Sequence, residues 1–115
     1  MTLVHKRRSA VSFALLMYAA GASAAQDYPT VAVADYVYGC MKANGNSRQA
    51  LESCSCSIDV ISSIIPYTRY EEAETFRSLG LITGERGVLF RQSAPARSAT
   101  ADLRRAQAEA DVRCF

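Results

Sequence analysis

The sequence has no tryptophan, three prolines and a single histidine, and that histidine, His5, stands ahead of an apolar run near the amino terminus. Residues 26–115 therefore carry no imidazole, which removes the usual general base of serine and cysteine hydrolases and the commonest nitrogen ligand for zinc or copper. The C-x-x-C-H pattern of haem attachment is absent, and so is the C-x-x-C pair of thiol oxidoreductases. Met41 is the one methionine after the apolar run, so no methionine-rich copper site exists. Ser53, Ser55, Ser57, Ser62 and Ser63 have no base to activate them. We assign no catalytic residue, no metal ligand set and no cofactor from the sequence, and expect a protein that is not an enzyme.

Long apolar runs are also missing. Ala10 to Ala20 follows Lys6, Arg7 and Arg8 and is too short to cross a bilayer about 30 Å thick, so it reads as an export signal. Ala22, Ser23 and Ala24 give the A-x-A cleavage pattern before Ala25, with a cut before Gln26 nearly equivalent. The leader is read as residues 1–25 and a single domain as 26–115, exported to the periplasm or beyond with no membrane insertion after cleavage. Removing Lys6, Arg7 and Arg8 leaves ten bases against eleven acids, a net charge of about −1. That balance, with no basic face and no interleaved aromatics, argues against a nucleic-acid partner.

What the chain does have is four cysteines, Cys40, Cys54, Cys56 and Cys114. In an oxidising compartment their expected state is two disulfides, which a domain of this size needs because its core is near the lower limit for independent stability. The apolar positions repeat at steps of three and four. Val33, Val37, Cys40 and Met41 define a first helix, with Thr30 a candidate N-cap and Asn44-Gly45 its end. Leu51, Cys54, Ile58, Ile61 and Ile65 define a second, capped by Ser47 or Asn46 and running to Pro66. Thr68 with Glu71 has the form of a capping box for a third helix, bearing Tyr70, Ala73, Phe76 and Leu79 and closed by Gly80. Leu81 to Ala94 reads as a loop with a short packed turn. Pro95 opens a last helix with Ala96, Ala99, Leu103, Ala106, Ala110 and Cys114 on one side. The fold class is all-α, a small bundle of three to four helices cross-linked by two disulfides.

Connectivity follows in part from helix geometry. Residues two apart on a helix diverge by about 200°, so Cys54 cannot bond Cys56. If the first two helices form an antiparallel hairpin, Cys40 falls closer to Cys54 than to Cys56, favouring Cys40–Cys54 with Cys56–Cys114. Cys40–Cys56 with Cys54–Cys114 stays open at this stage.

The segment Tyr36-Val37-Tyr38-Gly39-Cys40-Met41-Lys42-Ala43-Asn44-Gly45, followed by Cys54-Ser55-Cys56-Ser57-Ile58-Asp59, resembles small exported proteins with a C…CxC…C layout. The likeness spans most of the mature chain. Some proteins of that kind accompany quinoprotein (PQQ-dependent) alcohol dehydrogenases and their periplasmic cytochromes, so the resemblance implies an accessory role and a periplasmic protein as partner. Read from the residues alone, Arg86, Arg91, Arg97, Arg104 and Arg105 are candidates for clamping an acidic ligand or partner, and the loop around Gly84 to Gly87 for the contact site. Asp102, Glu109 and Asp111 share the last helix and can pair with these arginines. Glu71, Glu72 and Glu74 are expected to favour the start of the third helix through its dipole. The alternative function is thiol redox or copper and zinc handling at Cys54 and Cys56.

Overall fold

A computed structural model describes residues 28–115; the leader lies outside the described residues. Five helices follow one another: α1 (Thr30–Asn44), α2 (Arg48–Ile64), α3 (Tyr67–Gly80), α4 (Glu85–Gln92) and α5 (Ala94–Cys114). Among the described residues there is no strand, and the protein is all-α.

The caps show where local sequence rules held and where backbone geometry overrode them. Ser47 and Ser93 accept from the Ala50 and Ala96 amides at 3.0 and 3.3 Å and start α2 and α5. At the other two predicted starts a proline displaces the expected cap. Pro29 precedes α1, its carbonyl receiving the Ala32 and Val33 amides at 2.9 and 3.1 Å, so Thr30 is already helical. Pro66 precedes α3, receiving Arg69 and Tyr70 at 3.0 and 3.2 Å, and the Thr68–Glu71 capping box does not form. A proline with φ already near −65° makes the turn without a side-chain oxygen. The helix thus begins before Thr68, and Glu71, Glu72 and Glu74 fall beyond its first turn. Glu72 and Glu74 instead bond Arg69 and Arg77, each at 2.6 Å.

Three links fix the direction of α1 against α2. The Tyr28 hydroxyl donates to the Ile65 carbonyl at 3.0 Å, Tyr36 and Ser57 share a hydrogen bond of 2.8 Å, and Cys40 is bonded to Cys54 with Cα atoms 5.8 Å apart. Position rises along one helix as it falls along the other, so the pair is an antiparallel hairpin closed by Gly45, whose φ of 103° suits a residue without Cβ. The second disulfide joins Cys56 to Cys114, Cα atoms 5.7 Å apart. Both pairings are the favoured ones, and no cysteine is free.

Helix α5 packs against α2, α3 and α4, and α2 packs in turn against α1. Ile58, Ile61 and Ile65 form the core with Tyr70, Ala73, Leu103 and the α5 stripe of Ala99, Ala106 and Ala110. Alanines at these positions bring the α5 backbone close to the isoleucines of α2. Leu51 departs from its predicted stripe and is 36% exposed, while its neighbour Ala50 is the residue of the first turn of α2 that is buried. Helix α1 has no buried residue at all; it is held by its partly buried face on α2 and by the Cys40 bridge.

The segment read as a loop contains a helix, α4. Gly84 precedes it with φ 88°, Glu85 opens it and Arg91 lies in its last turn, each charge on the favourable side of the helix dipole. Gly87 faces inward, where a Cβ would run into the Ile82 carbonyl oxygen, and Arg91 donates to the Gly80 carbonyl. The inner face is made by a glycine, so the apolar periodicity that betrays a helix in sequence is missing.

Candidate functional site

Because α1 is attached through α2, a furrow is left between α1 on one side and α3 with α5 on the other. It is an open groove of about 1230 Å³. Tyr36, Ser57, Tyr70, Ala73 and Leu103 are among its lining residues, with the exposed side chains of Tyr38, Leu81 and Phe115 along it. Its volume exceeds the range of about 300–1,000 Å³ usual for small-molecule sites.

The walls carry both signs. Asp35, Glu74 and Asp111 come one each from α1, α3 and α5; Lys42, Arg77, Arg91 and Arg104 also face the groove. Glu74 is bonded by Arg77, and Lys42 lies over the Tyr38 ring, 4.3 Å from its centroid. Asp35 and Asp111 have no ion-pair partner among the described residues. The phenols register this field. Burial pushes the Tyr36 hydroxyl above its ordinary range, the Ser57 hydrogen bond opposes the shift, and Asp111 and Glu74 add to it. Burial raises Tyr70 further, helped by Glu74 and then by neighbouring phenols and Asp35. Tyr28, which packs on the Tyr67 and Tyr70 rings at 5.2 and 5.1 Å, is pushed to about 12 by burial and by Tyr67.

These shifts set the alkaline limit of the fold. A phenol whose folded pKa lies above its unfolded value of 10.0 contributes stability that is complete below pH 10 and lost as pH rises through the folded pKa. Urea-unfolding free energy is therefore expected to hold level to about pH 10 and to fall between about 10 and 12. Absorbance at 295 nm checks the cause: a group of tyrosines must ionise late, together with loss of helix. Uniform ionisation near pH 10 in protein whose circular dichroism is unchanged would refute it.

The five candidate arginines do not form one clamp. Arg91 and Arg104 border the groove. Arg86 and Arg97 project from α4 and α5 with no ion pair among the described residues, and Arg105 is bonded to Asp102. The strongest polar junction involves an arginine that sequence reading passed over. Arg69 donates to Asp102 (2.6 and 3.1 Å), Glu72 (2.6 Å) and Ser98 (3.0 Å), joining the start of α3 to α5. Its hydrogen bonds, with that from Arg105, hold the Asp102 carboxyl below the usual range. The Arg69–Glu72 spacing was the available signal, while Asp102 is reached only through the fold. Glu109 pairs with Arg113 at 2.7 Å.

Chemically, the groove offers aromatic surface, hydroxyls and charges, with its one buried serine already bonded to Tyr36. All four sulfurs are closed in bridges, so none is a thiolate while the bridges hold. Among the described residues no group of three or more His, Cys, Asp or Glu side chains is placed to hold a metal ion, and no helix is long and apolar enough to cross a membrane. Comparison with protein-family models, with curated proteins and with solved structures finds no match.

Proposed function

We propose that this is an exported, non-catalytic accessory protein that uses the α1/α3/α5 groove to hold a helical segment of a periplasmic partner. The observation that carries the reading is the groove itself: a half-apolar furrow larger than a small-molecule site, bordered by exposed Tyr38, Leu81 and Phe115, in a scaffold whose walls are tied by Cys40–Cys54 and Cys56–Cys114. Amphipathic helices are commonly bound in such furrows. The closed bridges support a staple role for the cysteines and an oxidising compartment, which agrees with residues 1–25 acting as an export signal. The resemblance of the C…CxC…C layout makes a quinoprotein dehydrogenase or its cytochrome the first partner to try.

The test combines two readouts on protein taken from the periplasm without reductant. Free-thiol counting should find none, and a photo-crosslinking residue at Tyr38 should give one discrete adduct that the same residue at Glu52, on the exposed side of α2, does not give. A pair of thiols that cycles, or a metal held at Cys54 and Cys56, would replace this reading with redox or metal handling. Equal labelling at Tyr38 and Glu52 would remove the groove as the binding site.

A further inference from the structure

A second cavity, of about 450 Å³, is lined only by residues of α1 and α3, two helices that do not pack closely on each other. Asp35 stands on its α1 wall and Glu71 and Glu74 on its α3 wall, together with Tyr67 and Tyr70. Against three carboxylates there is one cation, Arg77, whose guanidinium is already bonded to Glu74 at 2.6 and 3.2 Å. Asp35 and Glu71 have no ion-pair partner among the described residues. An acidic wall alone is ordinary solvated surface; what sets this one apart is Tyr70. That residue is 6% exposed, yet its hydroxyl makes no hydrogen bond to any described residue, whereas the Tyr28 and Tyr36 hydroxyls are bonded to Ile65 and Ser57. Every fully enclosed side-chain oxygen and nitrogen among the described residues has a partner, so the Tyr70 oxygen opens onto the spaces that its residue lines, this cavity and the adjoining groove. Burial keeps it a neutral phenol, and Glu74, neighbouring phenols and Asp35 reinforce the shift, so an unused acceptor lies in a negative field.

We propose that this cavity binds a linear aliphatic diamine or polyamine, one ammonium group donating to the Tyr70 oxygen and pairing with Asp35, and a second pairing with Glu71. The spread of the charge selects the ligand. Among the described residues no three acidic side chains are placed to hold a metal ion, so a compact divalent ion is a poor match, while a chain that carries its charges several atoms apart can reach separate carboxylates. A monoamine would leave one of the two unpaired acids unanswered, and neutral or anionic ligands would leave both. The Tyr67 and Tyr70 rings offer faces to the methylenes and to the ammonium groups, and the carboxylates and the phenol oxygen accept their N–H bonds. The volume falls within the range of about 300–1,000 Å³ usual for small ligands. Glu71 and Tyr67 line this cavity and not the groove, so the amine site is separable from the helix-binding one.

The experiment is calorimetric titration of the full mature chain, both bridges intact and at low salt, with the diamine putrescine, the monoamine butylamine and the uncharged butanediol. Putrescine should bind with a Kd below about 1 mM and about fivefold more tightly than butylamine, the worth of one further exposed ion pair, and butanediol should not bind. Glu71→Gln and Asp35→Asn should each weaken putrescine by about fivefold, and so should Tyr70→Phe, which keeps the ring and removes the hydroxyl alone. Glu52→Gln, on the exposed side of α2, should change nothing. Asp35 and Glu71 are exposed, so circular dichroism of their variants should stay that of the parent. Failure of putrescine to bind, or equal affinity for putrescine and butylamine, overturns the proposal. A loss in Glu52→Gln equal to that in Glu71→Gln, or magnesium displacing putrescine at equal concentration, overturns it in favour of general attraction of cations, and a Tyr70→Phe protein that binds as the parent does overturns the role of the hydroxyl.

Discussion

Replacing Cys56 and Cys114 together by serine is expected to remove about 4 kcal/mol of stability. The bridge spans 58 residues, and closing a loop of that length takes far more freedom from the unfolded chain than the 14-residue Cys40–Cys54 bridge, whose loss should cost about 3 kcal/mol. Both cysteines of the longer bridge are only partly buried, so serine adds no buried hydroxyl to confuse the result. A single domain with a core this small has a total stability of roughly 5–10 kcal/mol, and one bridge is a large part of it. With a urea slope near 1.5 kcal/mol/M, the unfolding midpoint followed at 222 nm should fall by about 2–3 M. A drop worth less than about 1 kcal/mol would mean that the unfolded chain is already constrained by other means, and the staple account of the cysteines would fail. The two bridges should also differ in what they release. Cys40–Cys54 holds α1, which buries no residue of its own, so its loss should loosen one groove wall while leaving the α2–α5 core.

Much of this fold was legible because its signals are local. The Cys54, Ile58, Ile61, Ile65 stripe and the Ala96 to Ala110 stripe repeat at helical spacing, and both are buried where predicted. The disulfide pairing was legible in part, since the divergence of Cys54 and Cys56 on one helix and the hairpin turn at Gly45 are also local facts. What sequence hid was of two kinds. Prolines at 29 and 66 took over helix starts that Thr30 and Thr68 seemed to offer, because fixed φ competes with a side-chain cap on equal terms. Helix α4 was hidden because Gly87, with no side chain, is the residue that packs inward.

The site was less legible than the fold, for a physical reason. A groove is made by how far apart helices stand, and no residue type encodes that distance. Of the arginines singled out by charge, Arg91 and Arg104 reach the groove, Arg105 is engaged by Asp102, and Arg86 and Arg97 are exposed on α4 and α5. Which tyrosines line the groove and which pack together where α1 and α3 begin depends on how the helices are placed, not on the residue type. Tyr36 and Tyr70 do the first, Tyr28 and Tyr67 the second.

Truncating Ile61 to alanine is expected to cost about 4 kcal/mol, toward the upper end of the range for such changes. Ile61 is fully buried in the core cluster that α2 forms with Ala99, Leu103, Ala106 and Ala110. The size of the loss depends on whether neighbours can move into the space left behind. Most of the facing α5 residues are alanines, which have no rotamers with which to fill a void, and the second bridge ties α2 to the end of α5. The cavity should therefore persist. Ile61→Val, which removes one methylene, should cost about 1 kcal/mol, and Ile64→Ala, on the exposed side of the same helix, less than about 1 kcal/mol. Urea unfolding of the three variants with both bridges intact separates the two faces of α2 by one measurement. If Ile61→Ala cost no more than Ile64→Ala, α2 and α5 would not be in close contact, and the groove they help to form with α1 would lose the rigid floor on which the binding argument stands.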